Sequence, residues 1–238
     1  MNIALIGYGK MGKAIEEIAL QRGHAIVLKI DENNTRDLNA TNLSKADVAI
    51  EFTGPHSAFG NVIKTIGFGT SLVCGSTGWV DKLEEVNQLV KEKNGAFLYA
   101  SNFSVGVNIF FEINKKLASL VAPHPDYEVI LEEIHHTQKK DAPSGTAITL
   151  AEQVMEHIQK KKRWVNDLSD HPEDLEIISQ RVDPAAGTHH VKYSSAIDDI
   201  EIIHTAHSRK GFALGAVLAA EFLEGKKGVY SMKDVLHL

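Results

Sequence analysis

The chain has 238 residues, 43% hydrophobic and 24% charged, the proportions of an ordinary globular protein of one or two domains, long enough for a sizeable core. Lys and Arg number 25 against 31 Asp and Glu, a formal charge of −6. This argues against general nucleic-acid or anionic-membrane binding and leaves local basic pockets open. The single cysteine, Cys74, excludes an internal disulfide and an all-cysteine metal cluster and fits a reducing compartment. No apolar run nears the ~18 residues that span a bilayer. The opening strand leaves no room for a signal peptide, so a cytoplasmic location is expected.

Asn2-Ile3-Ala4-Leu5-Ile6 is a continuous apolar run, as for a central strand of a parallel sheet buried on both faces. It enters Gly7-Tyr8-Gly9-Lys10-Met11-Gly12, a G-x-G-x-x-G. Met11, Ala14, Ile15, Ile18 and Ala19 then mark one face of a helix that stops at Gly23. A second strand, His24 to Ile30, ends in Asp31, nineteen residues after Gly12. Each part has a task in dinucleotide binding. The glycines allow a tight turn and close approach to a pyrophosphate, the helix start holds that anion, and the acid accepts ribose hydroxyls. There is no G-K-[ST], which argues against a P-loop. Asp31 and Glu32 would repel a ribose phosphate; no arginine follows directly, Arg36 lies five residues on, and Lys29 offers a positive charge. NADH is therefore expected to serve at least as well as NADPH.

The strand–helix alternation continues. Val48–Phe52 ends at Thr53-Gly54-Pro55, Ser71–Cys74 at Gly75-Ser76-Thr77-Gly78, and Phe97–Ala100 at Ser101-Asn102-Phe103-Ser104. Ligands of open parallel sheets lie beyond the carboxyl ends of strands, so these exits are expected to line the nicotinamide half of a cofactor. Cys74, inside an apolar strand, reads as a buried hydrophobe. From about Val107 the rhythm changes. A long helix carrying Ile109, Phe110, Ile113, Leu117, Leu120 and Val121 ends at Pro123.

The stretch Glu132–Ala147 packs two adjacent histidines, two adjacent lysines and an acid into the ten positions His135 to Ser144. Before it, Tyr127, Val129 and Leu131 alternate with Ile130 like a strand; after it, Ala147, Ile148, Leu150, Ala151, Val154, Met155 and Ile158 repeat at helical spacing. His135 and His136 therefore stand at a strand end, and Ser144-Gly145-Thr146 forms the first turn of a helix. That turn offers unpaired N–H groups and the positive end of the macrodipole to a carboxylate or phosphate. Lys139 and Lys140 add charge, and a histidine can deliver a proton near neutral pH. The residues read as an anion-binding catalytic loop; the alternative is a polar strand-to-helix connection with solvated lysines.

Lys160-Lys161-Lys162-Arg163 reads as a solvated helix end, and Val165 to Pro172 as a loop. Strand-like runs follow at Glu176–Val182, His189–Ser194 and Ile200–His207, a helix at Phe212–Leu223, and a last amphipathic turn or two at Val229–Leu236. Strands grouped with helices on one side suggest an α+β domain whose open sheet face calls for cover by self-association. The expected class is α/β, a Rossmann-type dinucleotide-binding domain (1–106 and 210–238) with an inserted α+β substrate-binding and oligomerisation domain (107–209) built on a mixed sheet.

With these motifs in hand, the chain resembles the 4-hydroxy-tetrahydrodipicolinate (dihydrodipicolinate) reductase family over nearly its whole length. The resemblance rests on Gly7–Gly12, Glu51-Phe52-Thr53, Gly75–Gly78, Asn102–Val107, His135–Ala147 and His204–Ala213. It implies a cyclic imine dicarboxylate substrate reduced with NADH or NADPH in the diaminopimelate route to lysine, and a homotetramer. His135 is then the proton donor and Lys139 the partner in charge stabilisation, while His136, Ser144, Gly145 and Thr146 hold the substrate carboxylates. The cofactor set is Gly7, Gly9, Lys10, Met11, Gly12, Asp31, Phe52, Thr53, Gly75, Ser76, Thr77, Ser101, Asn102, Phe103 and Arg209. Departures from the family pattern are a glycine loop one residue shorter, Lys10 for an arginine, Ser76 for a threonine, no evident basic residue after Asp31, and Pro184-Ala185-Ala186 before Gly187-Thr188-His189. Rival readings are another Rossmann-type amino- or keto-acid dehydrogenase, a non-catalytic nicotinamide sensor, and a zinc enzyme built on His135, His136, His189, His190, His204 and His207. No H-E-x-x-H or paired cysteines support zinc, and no metal is expected.

Overall fold

A computed structural model describes residues 1–238. In chain order the elements are β1 (Asn2–Ile6), α1 (Lys10–Gln21), β2 (Ala25–Ile30), α2 (Ala40–Leu43), β3 (Val48–Glu51), α3 (Ala58–Gly67), β4 (Ser71–Cys74), α4 (Leu83–Glu92) and β5 (Ala96–Tyr99). Then follow α5 (Val105–Val121), β6 (Glu128–His135), α6 (Gly145–His157), β7 (Arg163–Val165), β8 (Asp174–Arg181), β9 (Gly187–Ser194), β10 (Asp199–Ala206), α7 (Lys210–Leu223), β11 (Gly228–Tyr230) and α8 (Met232–Leu236). The chain divides into two compact units, Met1–Val105 with Arg209–Leu238, and Gly106–Ser208. No helix is long and apolar enough to cross a membrane.

The first unit holds a six-stranded, all-parallel sheet in the order β11-β5-β4-β3-β1-β2. The unbroken apolar run of β1 is explained by burial on both faces. Ile3 and Leu5 join one core with α1 and α7, and Ala4 and Ile6 join another with α3 and α4. α1 turns Ile15 and Ala19 into the first of these cores, as its spacing predicts. Cys74 is fully buried. The segment read as a closing amphipathic turn differs: Gly228–Tyr230 adds an edge strand parallel to β5 before α8 begins. Three residues are too few to show a period, and only the pairing partner makes them a strand.

The second unit is built on a five-stranded mixed sheet in the order β10-β9-β6-β8-β7. β6 runs antiparallel to β9 and parallel to β8. One face packs against α5 and α6, with Val129, Leu131, Leu175, Ile177, Val191 and Tyr193 meeting Phe110, Ala118, Leu150 and Val154. The basic run at 160–163 is not a solvated helix end. Lys161 is buried, donating to the carbonyls of Pro172 and Asp174, and Arg163 opens β7, where it pairs with Asp174 at 2.6 Å. Carbonyls and a carboxylate at and just before the start of β8 capture Lys161 and Arg163, which spacing alone does not reveal.

Candidate active site

In the first unit, the order of the sheet sets β1 between β2 and β3, so the chain leaves β1 for neighbours on opposite sides. Open α/β sheets hold ligands at such a point. Here Gly7 and Tyr8 donate N–H bonds to Ile30 O at 2.8 and 3.1 Å. Gly7 has φ +98°, and a Cβ there would fall 2.1 Å from Phe52 O; one on Gly12 would fall 2.3 Å from Gly7 O. Only glycine fits this crossing. α1 begins beyond Gly9 with no side-chain cap and no acid in its first turn, so the positive end of its macrodipole is uncompensated.

Beside this loop lies a cleft of about 740 Å³, lined by Gly7, Gly9, Asp31, Phe52 and Thr53 of the expected cofactor set. Asp31 is exposed and accepts at one oxygen from Asn33 N at 2.7 Å. Glycine cradle, uncapped helix start and terminal acid fit a dinucleotide, which supplies hydride chemistry when bound. Lys29 is committed elsewhere: its Nζ stands 2.5 Å from Glu16 and 4.8 Å over the Tyr8 ring, while the Tyr8 hydroxyl also donates to Glu16.

The other expected cofactor residues lie outside this cleft. Lys10 is exposed on the first turn of α1, and Met11 packs against the core. The exits of β3, β4 and β5 are knitted together. Thr53 N donates to Ser76 Oγ at 2.8 Å, and the buried Glu51 accepts from Thr53 N, the Thr53 hydroxyl and Cys74 Sγ. The Phe52 ring covers Gly75, where a Cβ would lie 2.2 Å from it, and stands 5.5 Å from the Phe103 ring. Asn102 Oδ1 accepts from Ser104 N, and Thr77, Ser101 and Arg209 are exposed, the last as N-cap of α7.

In the second unit, the inner face of the mixed sheet changes character along one row. Leu131 lies opposite Ile177 and Val191; two residues on, Glu133 lies opposite Ser179 and His189, and His135 opposite Arg181. Because side chains alternate along a strand, hydrocarbon gives way to ionisable groups on the same buried face. Glu133 is 0% exposed and His135 7%. The Glu133 carboxylate accepts from Ser144 N at 3.1 and 3.2 Å, Ser179 Oγ at 2.8 Å and Arg181 Nη2 at 3.1 Å. Burial pushes its pKa up, but these bonds outweigh it and leave it below the ordinary value. Burial lowers the pKa of His135, opposed by Glu133 and reinforced by Lys139 and Arg181.

Ser144 caps α6, its hydroxyl accepting from Ala147 N at 3.2 Å and sharing a 3.1 Å hydrogen bond with His189 Nε2. Burial and the neighbouring His135 depress His189 to about 3. Lys139 bonds Asp141 at 2.7 and 2.9 Å, and Arg181 donates to the carbonyls of both residues. His136 is half-buried at the end of β6, Gly145 is exposed, and Thr146 is half-buried in the first turn of α6. The unusual segment before Gly187 is tied back to the loop through Asp183, which accepts from Thr137 N and Oγ1. His135, Lys139, Ser144 and the start of α6 thus belong to one polar cluster. Glu133, Ser179 and Arg181 are its unanticipated members, and His189, considered from the sequence only as a rival zinc ligand, joins them. The signal for Glu133 was present, as an acid in register with Val129 and Leu131; Arg181 depends on strand pairing that no local pattern encodes. Glu133, His135 and His189 bring three ligand-type atoms within 4.8 Å of one another, but a cation there would compete with the Arg181 guanidinium for Glu133.

The chain matches the family model described as dihydrodipicolinate reductase, N-terminus, over residues 1–103, and the C-terminus model over residues 106–236. It is 51% identical to the 4-hydroxy-tetrahydrodipicolinate reductase of Christiangramia forsetii, over 99% of this chain and 98% of that one. It is 34% identical to the enzyme of the same name from Methanosarcina mazei, over 99% and 89%. A solved structure of dipicolinate-bound dihydrodipicolinate reductase from Paenisporosarcina sp. TG-14 has the same fold, with a TM-score of 0.76 at 24% identity over 97% of each chain. With both of its halves matched in order and a relative half identical along its full length, the chain belongs to the dihydrodipicolinate reductase family of NAD(P)H-dependent oxidoreductases.

Proposed function

We propose that the chain reduces 4-hydroxy-tetrahydrodipicolinate to tetrahydrodipicolinate with NADH or NADPH, in the diaminopimelate route to lysine, with His135 as proton donor and Lys139 stabilising charge. The observation that carries the residue assignment is the polar end of the mixed sheet, where a buried imidazole, an ammonium group and a helix start are gathered within one loop. A cyclic imine dicarboxylate needs two things from the protein. Its carboxylates need donors, for which the Ser144 hydroxyl, the first turn of α6 with Gly145 and Thr146, and His136 are suited. Water leaves before or with hydride transfer to the ring carbon that carried the hydroxyl, and the carbon beside it needs a proton, which His135 delivers while Lys139 offsets negative charge developing on the ring-nitrogen side. Lys139 is paired with Asp141, and a bound dianion would compete for that ammonium.

In this reading the unit of residues 1–105 and 209–238 binds the dinucleotide through Gly7, Gly9, Gly12 and Asp31, with the strand exits around Phe52, Thr53, Gly75, Ser76, Asn102 and Phe103 shaping the site. Lys10, Met11, Thr77, Ser101 and Arg209 complete the set by family resemblance. The unit of residues 106–208 binds substrate and mediates assembly as a homotetramer, an inference supported by exposed apolar side chains on β10 such as Ile203, 59% exposed. A cytoplasmic location accompanies the biosynthetic role.

The decisive measurement is NADH oxidation on adding freshly made product of dihydrodipicolinate synthase, run beside NADPH. Turnover with either cofactor is expected. NADH binding without oxidation would favour a sensor, and oxidation with aspartate-type substrates alone would favour another dehydrogenase.

A further inference from the structure

The two oxygens of the buried Glu133 are unequally occupied. Oε1 accepts from Ser179 and Arg181 and shares the Ser144 N–H. Oε2 accepts that same N–H and otherwise faces His135 Nδ1 at 3.5 Å and His189 Nε2 at 3.7 Å. His189 Nε2 is already engaged with the Ser144 hydroxyl. His135 Nδ1, by contrast, is buried without a hydrogen-bond partner. On the opposite edge of the ring, a Cβ at residue 187 would stand 3.2 Å from His135 Nε2. Glycine at that position keeps the Nε2 edge clear.

We infer that Glu133 is a positioning residue for the proton transfer: its Oε2 holds a proton on Nδ1 of His135, so that the proton given to substrate departs from Nε2. The inference rests on the reading of His135 as proton donor. In the charged ring both nitrogens carry hydrogen. The Nε2–H bond breaks, its proton forms the new C–H bond, and the ring is left neutral with Nδ1–H still directed at Glu133. A carboxylate beside the ring favours the charged form and draws closer when that charge develops. The ionisable groups facing His135 are Glu133 on its own strand, Lys139 and Asp141 on the following loop, Arg181 on β8 and His189 on β9. Removing the Glu133 charge leaves Lys139 and Arg181 opposed only by the exposed Asp141.

The test uses the full chain with Glu133→Gln, which keeps the side-chain shape and deletes the charge. The fall of kcat/KM at high pH is expected to move down by about one pH unit or more, with kcat reduced about tenfold or more at neutral pH and KM for the dicarboxylate within roughly threefold, since the carboxylate-binding groups stay. A purely structural role would lower activity without moving that limb, so an unmoved limb in a folded variant overturns the inference. Should the variant fail to fold, 15N-histidine NMR of the wild type decides, with the His135 signals identified by their loss in His135→Asn. A neutral ring protonated at Nδ1 is expected; one protonated at Nε2 overturns the inference. If the wild type proves inactive with the dicarboxylate, the functional reading falls, while the NMR measurement still reports the tautomer.

Discussion

Arg181 Nη2 donates to the carbonyl of Asp141 at 2.6 Å and to Glu133 Oε1 at 3.1 Å, so one guanidinium fastens the Lys139 loop to the buried carboxylate beneath it. Arg181→Ala removes the partner of a fully buried charge, and the cost is expected to be about 3 kcal/mol. Denaturant unfolding measures it. Because the penalty comes from a buried carboxylate that keeps Ser144 and Ser179 but loses its guanidinium partner, Arg181→Ala combined with Glu133→Gln should cost less than the sum of the two single changes. Additive losses would show that the two side chains act separately.

His135→Ala and Lys139→Ala are each expected to cut turnover by ~10²–10⁴, the size of a lost general acid or charge stabiliser. Circular dichroism should show both variants folded. Turnover close to wild type in both would remove these residues from the chemistry.

His189 sets an acid limit on stability. Its folded pKa, about 3, lies below the ordinary 6.5 because burial and His135 disfavour its charge. The unfolded chain therefore binds this proton more readily between about pH 6.5 and 3. Stability attributable to the neutral ring is intact above that window and lost as pH falls through it, by up to ~1.4 kcal/mol per pH unit. Unfolding free energies of wild type and His189→Gln, compared from pH 7 to 4, should converge as pH falls. Parallel curves would contradict the assignment.

Lys29 is spent on Glu16 and Tyr8, and the acids Asp31 and Glu32 line the cleft. NADH should therefore serve at least as well as NADPH. Glu16→Gln releases the lysine and is expected to lower KM for NADPH by roughly threefold, a surface-charge effect that salt weakens. Strong NADPH preference in the wild type would overturn this account.

Gly7→Ala drives a methyl into Phe52 O at a positive φ. The crossing of the loop over β3 cannot form without displacement, and a loss of at least about 2 kcal/mol with NADH binding impaired is expected. Thermal melts with and without NADH would register both effects.

The parallel sheet was legible because β1 and the strands after it are short apolar runs separated by helices with a clear face. The polar loop was legible because a strand pattern stops at His135, a helical pattern starts at Gly145, and Ser144 has the chemistry of a cap. β7 and β11 were not, since three residues paired at an edge carry no period of their own. Lys161 looked solvated for the same reason that Arg181 went unnoticed. Their partners lie on segments 13 and 48 positions away, and sequence spacing holds no record of that neighbourhood.

α7 contributes Ala213, Ala216, Val217, Ala220 and Leu223 to the same core as Ile3, Leu5, Val48 and Leu98. On a ribosome this helix emerges more than a hundred residues after β5. At ordinary elongation rates, the sheet waits ~5–20 s with that apolar side covered by α1 and not yet by α7. The nascent protein is thus most exposed to aggregation, and most dependent on chaperones, while its second unit is being made.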